Sequence, residues 1–139
     1  MSKDKILITG ANGQLGRVLA SELRILHGKD NVLSTDISSV DILDNEPYEF
    51  LDIMNVTRLH EIVEEHEITQ VYHMAAILSA SGEFNPMKTW KVNLDGYLTI
   101  LELAEKFQLD KLFFPSTIAV FGTTTPRENT SQHVPLMPS

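Results

Sequence analysis

The stretch "ILITGANGQLGRVLA", from Ile6 to Ala20, constrains the fold more than any other part of the chain. An apolar run of strand length ends at Thr9, three glycines follow at intervals of three, and an amphipathic helical pattern begins at Gln14. Glycines at such a point let a strand turn sharply into a helix and let the two pack closely. The sequence therefore predicts a strand, a glycine turn and a helix, which must pack on further strands.

The rest of the chain alternates short apolar runs with amphipathic stretches, which is typical of a parallel sheet covered by helices. With 139 residues the chain is long enough for one domain with a single core. The predicted strands are Lys5–Thr9, Asn31–Asp36, Tyr48–Asp52, Gln70–Met74 and Lys111–Pro115. The predicted helices are Gln14–His27, Val56–Glu67 and Pro86–Phe107, and the predicted loops are Ile37–Pro47 and Thr123–Ser139.

Helix caps and apolar faces support these assignments. Asn55 precedes the second helix, and Asn85 followed by Pro86 is a favourable cap and first-turn pair for the third. In the second helix, the residues predicted to face inward are Leu59, Ile62 and Val63. In the first helix, the pattern places on one face Leu15, Val18, Leu19, Leu23 and Leu26.

Composition and charge exclude several classes of function. The net charge is −8, and the span from Asp36 to Glu67 contains ten acidic residues and one basic residue, Arg58. Such a surface repels phosphate backbones and anionic lipid, so neither nucleic acid nor a membrane is expected as a partner. No apolar run approaches the length of a bilayer span, and the polar start "MSKDK" leaves no room for a signal peptide, so a soluble cytoplasmic protein is expected. The absence of cysteine excludes disulfides and thiolate metal sites, and no metal site is predicted.

The glycine turn and an acid downstream predict a dinucleotide site. Gly10, Gly13 and Gly16 would allow a pyrophosphate to rest on the N-terminus of the first helix. Asp36 ends the second predicted strand, 20 residues after Gly16, where a carboxylate accepts hydrogen bonds from the adenosine ribose. Neither Arg nor Lys follows it to bind a 2′-phosphate, so NAD is favoured over NADP. The alternative for the three glycines is an ordinary tight turn between strand and helix, and the alternative for Asp36 is a solvated acid at a strand end. We predict an α/β fold with a Rossmann-type doubly wound parallel sheet.

The spacing TGxxGxxG resembles the short-chain dehydrogenase/reductase superfamily, and the rest of the chain resembles its extended branch, the NAD-dependent epimerases and dehydratases. Further matching segments are Asp52-Ile53, "HMAA" from His73 to Ala76, "KVNLDG" and "PSTIAVFG". Each has a simpler alternative: Asp52 as a turn acid, Asn93 as a polar helix residue, and His73 as a core histidine, which we prefer to a catalytic role. The resemblance implies that the cofactor-binding residues are Gly10, Asn12, Gly13, Gln14, Leu15, Gly16, Asp36, Ile37, Asp52, Ile53, Met74, Ala75, Ala76, Asn93 and Ser116.

Two segments, "AAILSASGE" and "PSTIAVFGTTTPRENT", resemble the short-chain type of L-threonine 3-dehydrogenases. That resemblance implies NAD-dependent oxidation of the threonine β-hydroxyl to 2-amino-3-ketobutyrate. It implies that Thr117 is the catalytic hydroxyl that binds and polarises the substrate oxygen, and that Ser79 is a substrate-binding hydroxyl. The small residues of "LSASGE" favour a small substrate over a nucleotide sugar. Ser38 departs from the family, which often has a basic residue at that position.

The superfamily uses a tyrosine as the proton acceptor, with a lysine four residues later that lowers its pKa. In this sequence Tyr48, Tyr72 and Tyr97 are followed at that spacing by Asp, Ala and Leu. We therefore expect residues 1–139 to be an incomplete NAD-binding domain, truncated after about the fifth strand and inactive alone, with the catalytic pair and the substrate lobe beyond Ser139. An exposed sheet edge would favour self-association, so a homo-oligomer is a further expectation. The alternatives are a nucleotide-sugar epimerase or dehydratase and a non-catalytic dinucleotide-binding module.

Overall fold

A computed structural model of the chain describes residues 4–39 and 47–138, so most of the predicted loop Ile37–Pro47 lies outside the described residues. In the described part, five parallel strands form one sheet in the order β3-β2-β1-β4-β5. The strands are β1 Ile6–Thr9, β2 Val32–Asp36, β3 Tyr48–Phe50, β4 Gln70–His73 and β5 Lys111–Phe113. The strand order reverses direction between β1 and β4, as in a doubly wound sheet, and the predicted fold class is confirmed.

The helices of the described part are α1 Gln14–His27, α2 Val56–Glu65, α3 Ser79–Gly82, α4 Pro86–Trp90 and α5 Gly96–Phe107. A π-helical turn, Lys91–Asp95, joins α4 to α5. The Asn85 side chain accepts a hydrogen bond from the Lys88 amide and so caps α4, as the sequence predicts. The short helix α3 and the π-helical turn were not predicted. None of the described helices combines the length and apolar character that a membrane crossing requires.

Two apolar layers cover the two faces of the sheet. The layer that α2 and α5 cover includes Leu7, Leu33, Leu59, Ile62, Val63, Val71, Ile100 and Leu103. The layer that α1 covers includes Ile6, Ile8, Ala11, Ala20, Leu23 and Val32. Strands β1 and β2 contribute alternate residues to both layers, which explains why their sequences are apolar without alternation. The inward face predicted for α2 is confirmed.

The predicted apolar face of α1 is wrong in part. Leu23 is buried, but Leu15, Val18 and Leu26 are 64%, 63% and 75% exposed. The residues of α1 that pack closely on the sheet include Gly16 and Ala20 instead. The glycine turn draws the start of α1 so near the strands that small side chains fit there better than leucines do.

Several elements end earlier than the sequence pattern predicts. Strand β3 ends at Phe50 because the chain turns at Asp52, whose carbonyl accepts a hydrogen bond from the Asn55 amide. Strand β5 ends at Phe113, shortly before Pro115, which has no amide hydrogen to donate. Helix α2 ends at Glu65, and Glu67 takes a left-handed conformation with φ 51°. Beyond Val120, the described residues contain neither helix nor strand, as predicted.

The basic residue in the acidic span holds the edge strand β3 against α2. Arg58 Nη2 lies 2.6 Å from Glu49 Oε2, and Nη1 lies 3.1 Å from both Glu61 Oε2 and Glu65 Oε2. These carboxylates raise the pKa of the Arg58 guanidinium above its ordinary value, mainly through the hydrogen bond that Arg58 donates to Glu61. Part of the acidic charge is therefore paired within the fold.

Candidate cofactor-binding site

The predicted site residues lie at one edge of the molecule because all five strands are parallel and their carboxyl ends share that edge. In open α/β sheets, ligands bind in the crevice outside the carboxyl ends, where the strand order reverses. The segments that follow β1 to β5 at this edge are Gly10–Gly16, Asp36–Ser38, Asp52–Ile53, Met74–Ala76 and Ser116–Thr117.

The glycine turn after β1 leaves no space for a side chain at Gly10 or at Gly16. Gly10 has φ +67°, and a Cβ atom on it would lie 2.6 Å from the Cα and the amide nitrogen of Ala75. A Cβ atom on Gly16 would overlap the Gly10 carbonyl oxygen. Gly13 is the N-cap of α1, and within the described turn no side chain caps the helix. Backbone amides at the start of α1 can therefore bind a pyrophosphate, as the spacing predicts. Gln14 and Leu15 are exposed beside this turn.

The Asp36 carboxylate is held by two backbone amides from separate segments. Its Oδ2 accepts a hydrogen bond from the Asn12 amide at 2.9 Å, and its Oδ1 accepts one from the Ser38 amide at 3.2 Å. An ionised carboxylate accepts about four hydrogen bonds, so the two oxygens retain capacity for the two ribose hydroxyls. Ile37, the residue between these contacts, is 69% exposed.

The two residues Asp52 and Ile53, which follow β3, have different positions: Asp52 lies in a turn and Ile53 lies in the core. Asp52 Oδ1 accepts a hydrogen bond from the Met54 amide at 2.9 Å, which closes the turn before α2. Ile53 is 3% exposed and packs near Gly96, where an added Cβ would lie 3.4 Å from Ile53 Cγ2. The geometry matches the interpretation of Asp52 as a turn acid, and its contact with an adenine stays a prediction.

His73, at the end of β4, is a core residue that connects β4 to β1. Its Nδ1 lies 2.7 Å from Thr9 Oγ1, and its ring stacks on Phe114 with 5.8 Å between centroids. Burial lowers the pKa of His73 to about 4, so the imidazole is neutral near pH 7. The Thr9 hydroxyl also lies 3.4 Å from the Ala75 amide, so it links the carboxyl end of β1 to the segment that follows β4. The Nε2 atom has no partner among the described residues.

Asn93 lies in the π-helical turn and binds the backbone of the loop after β4. Its Oδ1 accepts a hydrogen bond from the Ile77 amide at 2.8 Å, and its Nδ2 donates one to the Ile77 carbonyl at 2.9 Å. The side chain therefore positions the loop that contains Ala75 and Ala76. A contact of Asn93 with the cofactor itself stays a prediction.

The predicted reaction hydroxyls follow β5 and β4. Thr117 is exposed, and its Oγ1 accepts a hydrogen bond from the Ala119 amide at 3.2 Å, so it caps the short 3₁₀ turn Ile118–Val120. Its hydroxyl hydrogen remains the donor with which a substrate oxygen could be polarised. Ser116 is exposed beside it, and Ser79 is the first residue of α3.

An open hollow of about 600 Å³ lies between α3 and the α4–α5 helix. Aromatic side chains dominate its lining, with Trp90, Tyr97 and Phe114 among them, and Glu83 is its one ionisable carboxyl. A free amino acid carries both an ammonium and a carboxylate, and although Glu83 offers a partner for the ammonium, the lining residues include no cationic side chain for the carboxylate. We therefore assign neither substrate nor cofactor to this hollow, although it borders the loop after β4.

Sheet order, glycine turn and Asp36 together define a Rossmann-type dinucleotide-binding domain. The model of the NAD-dependent epimerase/dehydratase family matches residues 6–139, and the chain belongs to that family. The family resemblance seen in the motifs is confirmed, and so is the predicted cofactor, NAD. One relative, an uncharacterized epimerase/dehydratase of Staphylococcus saprophyticus, is 44% identical over 131 residues, covering 92% of this chain and 41% of the relative. The chain thus spans about two fifths of that relative's length.

Solved structures with a similar fold include L-threonine dehydrogenases. The enzyme from Cupriavidus necator, in its holo form, has 42% sequence identity and a TM-score of 0.91, over 97% of this chain and 44% of that one. The enzyme from Clostridium difficile has 33% identity and a TM-score of 0.89, over 99% and 44%. The UDP-glucose 4-epimerase of Thermus thermophilus in complex with NAD has 27% identity and a TM-score of 0.79, over 96% and 44%.

Proposed function

We propose that this chain is the NAD-binding part of an enzyme that oxidises the β-hydroxyl of L-threonine to 2-amino-3-ketobutyrate. The observation that carries the proposal is the greater likeness to threonine dehydrogenases, 42% identical with a TM-score of 0.91, than to a UDP-glucose epimerase at 27% and 0.79. On this proposal, residues 1–139 are an incomplete Rossmann domain and the substrate lobe lies outside this chain.

The cofactor would lie across the carboxyl edge of the sheet. The bare glycine turn and the first amides of α1 suit its pyrophosphate, and the held Asp36 carboxylate suits the adenosine ribose. Met74, Ala75 and Ala76 would flank it at the end of β4. A 2′-phosphate would meet the Asp36 charge, so NAD rather than NADP fits this edge.

The reaction removes a hydride from the threonine Cβ and a proton from the hydroxyl oxygen. Bound NAD supplies the hydride acceptor. Thr117 would donate a hydrogen bond to the reacting oxygen and hold it near the nicotinamide, with Ser116 beside it. Ser79 would bind the substrate from the loop after β4. The proton needs a separate acceptor, and none of the three tyrosines of this chain has a lysine four residues later.

A nucleotide-sugar epimerase or dehydratase is the second candidate. Two observations favour it: the relative from Staphylococcus saprophyticus is described as an epimerase/dehydratase, and the UDP-glucose 4-epimerase shares the fold with 27% identity. The segment "LSASGE" argues against it, because a nucleotide sugar brings a large diphosphate and this segment contains small residues and an acid but no positively charged side chain to bind it.

The test is an assay of the enzyme that contains these 139 residues. NADH formation from L-threonine, followed by its absorbance, is the expected result, with slower or no turnover of UDP-glucose or a dTDP-sugar. Turnover of the sugar nucleotide without threonine oxidation would establish the second candidate instead. NAD binding with neither activity would identify a binding module.

A further inference from the structure

Four residues at the carboxyl end of β2 form a closed ring of hydrogen bonds. The Asn12 amide donates to Asp36 Oδ2 at 2.9 Å, and the Ser38 amide donates to Asp36 Oδ1 at 3.2 Å. The Tyr48 hydroxyl donates to the Ser38 carbonyl at 2.6 Å and accepts from Asn12 Nδ2 at 3.0 Å. The ring joins three segments that are distant in sequence: the glycine turn, the end of β2 and the start of β3.

The ring fixes the Asp36 carboxylate before any ligand arrives. Each of its oxygens accepts a hydrogen bond from a backbone amide, one of Asn12 and one of Ser38. The Tyr48 hydroxyl binds the same two residues, through the Asn12 side chain and the Ser38 carbonyl. Tyr48 is half-buried at the first position of β3, where parallel pairing places it opposite Ser34 of β2. The phenol is thus anchored by the sheet, and the two segments it binds are anchored through it.

We propose that Tyr48 is a specificity-determining residue for the cofactor, because it holds the loop after β2 where a 2′-phosphate cannot be accommodated. The inference rests on the proposed placement of the adenosine ribose at Asp36. To admit a 2′-phosphate, the carboxylate must turn away or the Asp36–Ser38 loop must shift, so that amides now bound to Asp36 can bind the phosphate instead. A shift of the loop stretches the contact between the Tyr48 hydroxyl and the Ser38 carbonyl, and turning the carboxylate away breaks its bond to the Ser38 amide, whose position Tyr48 fixes.

Tyr48 acts through Asp36 and Ser38, so it is a positioning residue and its removal has a particular signature. Loss of a merely structural contact would weaken NAD and NADP binding by the same factor. Loss of a contact that holds the loop against the phosphate would change the ratio of the two dissociation constants. That ratio therefore separates the two roles.

The experiment is calorimetric titration of the 139-residue chain with NAD and with NADP. Tyr48→Phe keeps the aromatic side chain and removes only its hydroxyl. Asn12→Ala removes the side-chain amide that donates a hydrogen bond to that hydroxyl. We expect the ratio of the NADP to the NAD dissociation constant to fall about threefold to tenfold in each variant, because each loses at least one hydrogen bond that holds the Asp36–Ser38 segment in place. The matched control is Tyr72→Phe, which removes a phenol hydroxyl from β4, where Tyr72 packs on Phe113 with 5.6 Å between ring centroids. Its ratio should equal that of the unmodified chain.

Asp36→Asn is titrated alongside, so that two failures can be told apart. A ratio that falls in Asp36→Asn but is unchanged in both Tyr48→Phe and Asn12→Ala would overturn this inference and support the ribose placement. An unmodified chain that binds no NAD would overturn the proposed function and this inference together.

Discussion

The amide group of Asn93 binds both backbone polar groups of Ile77, accepting from its N–H at 2.8 Å and donating to its carbonyl at 2.9 Å. This pair of hydrogen bonds joins the π-helical turn between α4 and α5 to the loop after β4. That loop contains Ala75 and Ala76 on one side and leads into α3 on the other. One helix residue therefore positions both the proposed cofactor contact and the proposed substrate loop.

The first prediction is that Asn93→Asp destabilises the fold. A carboxylate can still accept from the Ile77 amide, but it cannot donate to the carbonyl, and it places negative charge against that oxygen. We expect a loss of about 1–3 kcal/mol in the free energy of unfolding, measured with urea. The matched control is Asn85→Asp, because Asn85 uses only its oxygen to cap α4 and aspartate caps equally well. Equal effects of the two substitutions would show that the Ile77 carbonyl does not need its donor.

The second prediction is that Asp36→Asn narrows the preference for NAD over NADP. The substitution removes the charge that repels a 2′-phosphate and keeps an oxygen for one of the two backbone amides, while the other amide loses its acceptor. Asp52→Asn serves as the comparison, since Asp52 is an acid at the same edge, where it begins the turn before α2, but it is proposed to lie near the adenine and not the ribose. The ratio of the NADP to the NAD dissociation constant, measured by calorimetry, should fall in Asp36→Asn. In Asp52→Asn the two dissociation constants should change by the same factor, so their ratio should not change. Equal affinity of the unmodified chain for both cofactors would contradict the assignment of Asp36.

The fold was predictable because its determinants are local. The periodicity of apolar residues predicts five parallel strands. The spacing of Gly10 and Gly16 predicts a tight turn, and in the structure neither position has space for a Cβ. Burial within the α1 layer was not predictable from periodicity. The arc of apolar residues on α1 is wider than the strip that meets the sheet, so Leu15 and Leu26 look the same as Leu23 in the sequence.

The sequence indicates candidate site residues, but it does not indicate the contacts that these residues make in the fold. Asp36 was identified by its distance from Gly16, but its bonds to the Asn12 and Ser38 amides depend on how two turns approach each other. For Tyr48, the sequence indicates only that it lacks the lysine four residues later that a catalytic tyrosine has. Its bond to Ser38 joins residues ten positions apart in the sequence, and no spacing rule encodes such a contact. Asn93 carried a motif signal, and only the fold identifies Ile77 as its partner.

The third prediction concerns His73 and acid. Burial lowers its pKa from 6.5 to about 4, so between these values the unfolded chain binds a proton that the folded chain does not. Stability is complete above pH 6.5 and is lost as the pH falls toward 4, by up to about 3 kcal/mol. His73→Gln cannot be protonated, so the unmodified chain should lose about 2–3 kcal/mol more than this variant between pH 7 and 4.5 in urea unfolding. His133→Gln, at an exposed position, should lose as much as the unmodified chain. Parallel losses in His73→Gln and the unmodified chain would contradict the burial argument.

The fourth prediction is that Thr117→Ala lowers kcat for threonine in the enzyme that contains this chain. Loss of a positioned polar catalytic group costs on the order of 10²-fold in kcat, with little change in NAD affinity. Thr117→Ser keeps the hydroxyl and should retain most of the rate. Ser79→Ala should instead raise KM more than it lowers kcat, if its hydroxyl binds the ground state. An unchanged kcat in Thr117→Ala would place the reacting oxygen elsewhere.

The last prediction is that the 139-residue chain binds NAD and forms no NADH from threonine. The glycine turn, Asp36 and the end of β4 lie at one edge, so the contacts proposed for the adenosine half of the cofactor are all available. None of Tyr48, Tyr72 and Tyr97 has a lysine four residues later, so no phenol of this chain can accept the hydroxyl proton near neutral pH. Calorimetry with NAD and absorbance at the NADH band with L-threonine measure the two properties on one preparation.

The same chain should also associate with itself. Strand β5 pairs with β4 on one side, and the side chains of Phe113 and Phe114 are 47% and 41% exposed beside its other edge. An unpaired edge with apolar neighbours is a template for pairing with another chain. Size-exclusion chromatography with light scattering, or analytical sedimentation, should therefore show species larger than 15.6 kDa, and the fraction of these species should increase with protein concentration. Phe113→Lys adds a charge at this edge and should shift the distribution toward the monomer, whereas Ile118→Lys, at an exposed position in the 3₁₀ turn after β5, should not. Threonine-dependent NADH formation by the pure chain, with larger proteins excluded by mass, would show instead that a base lies within these residues.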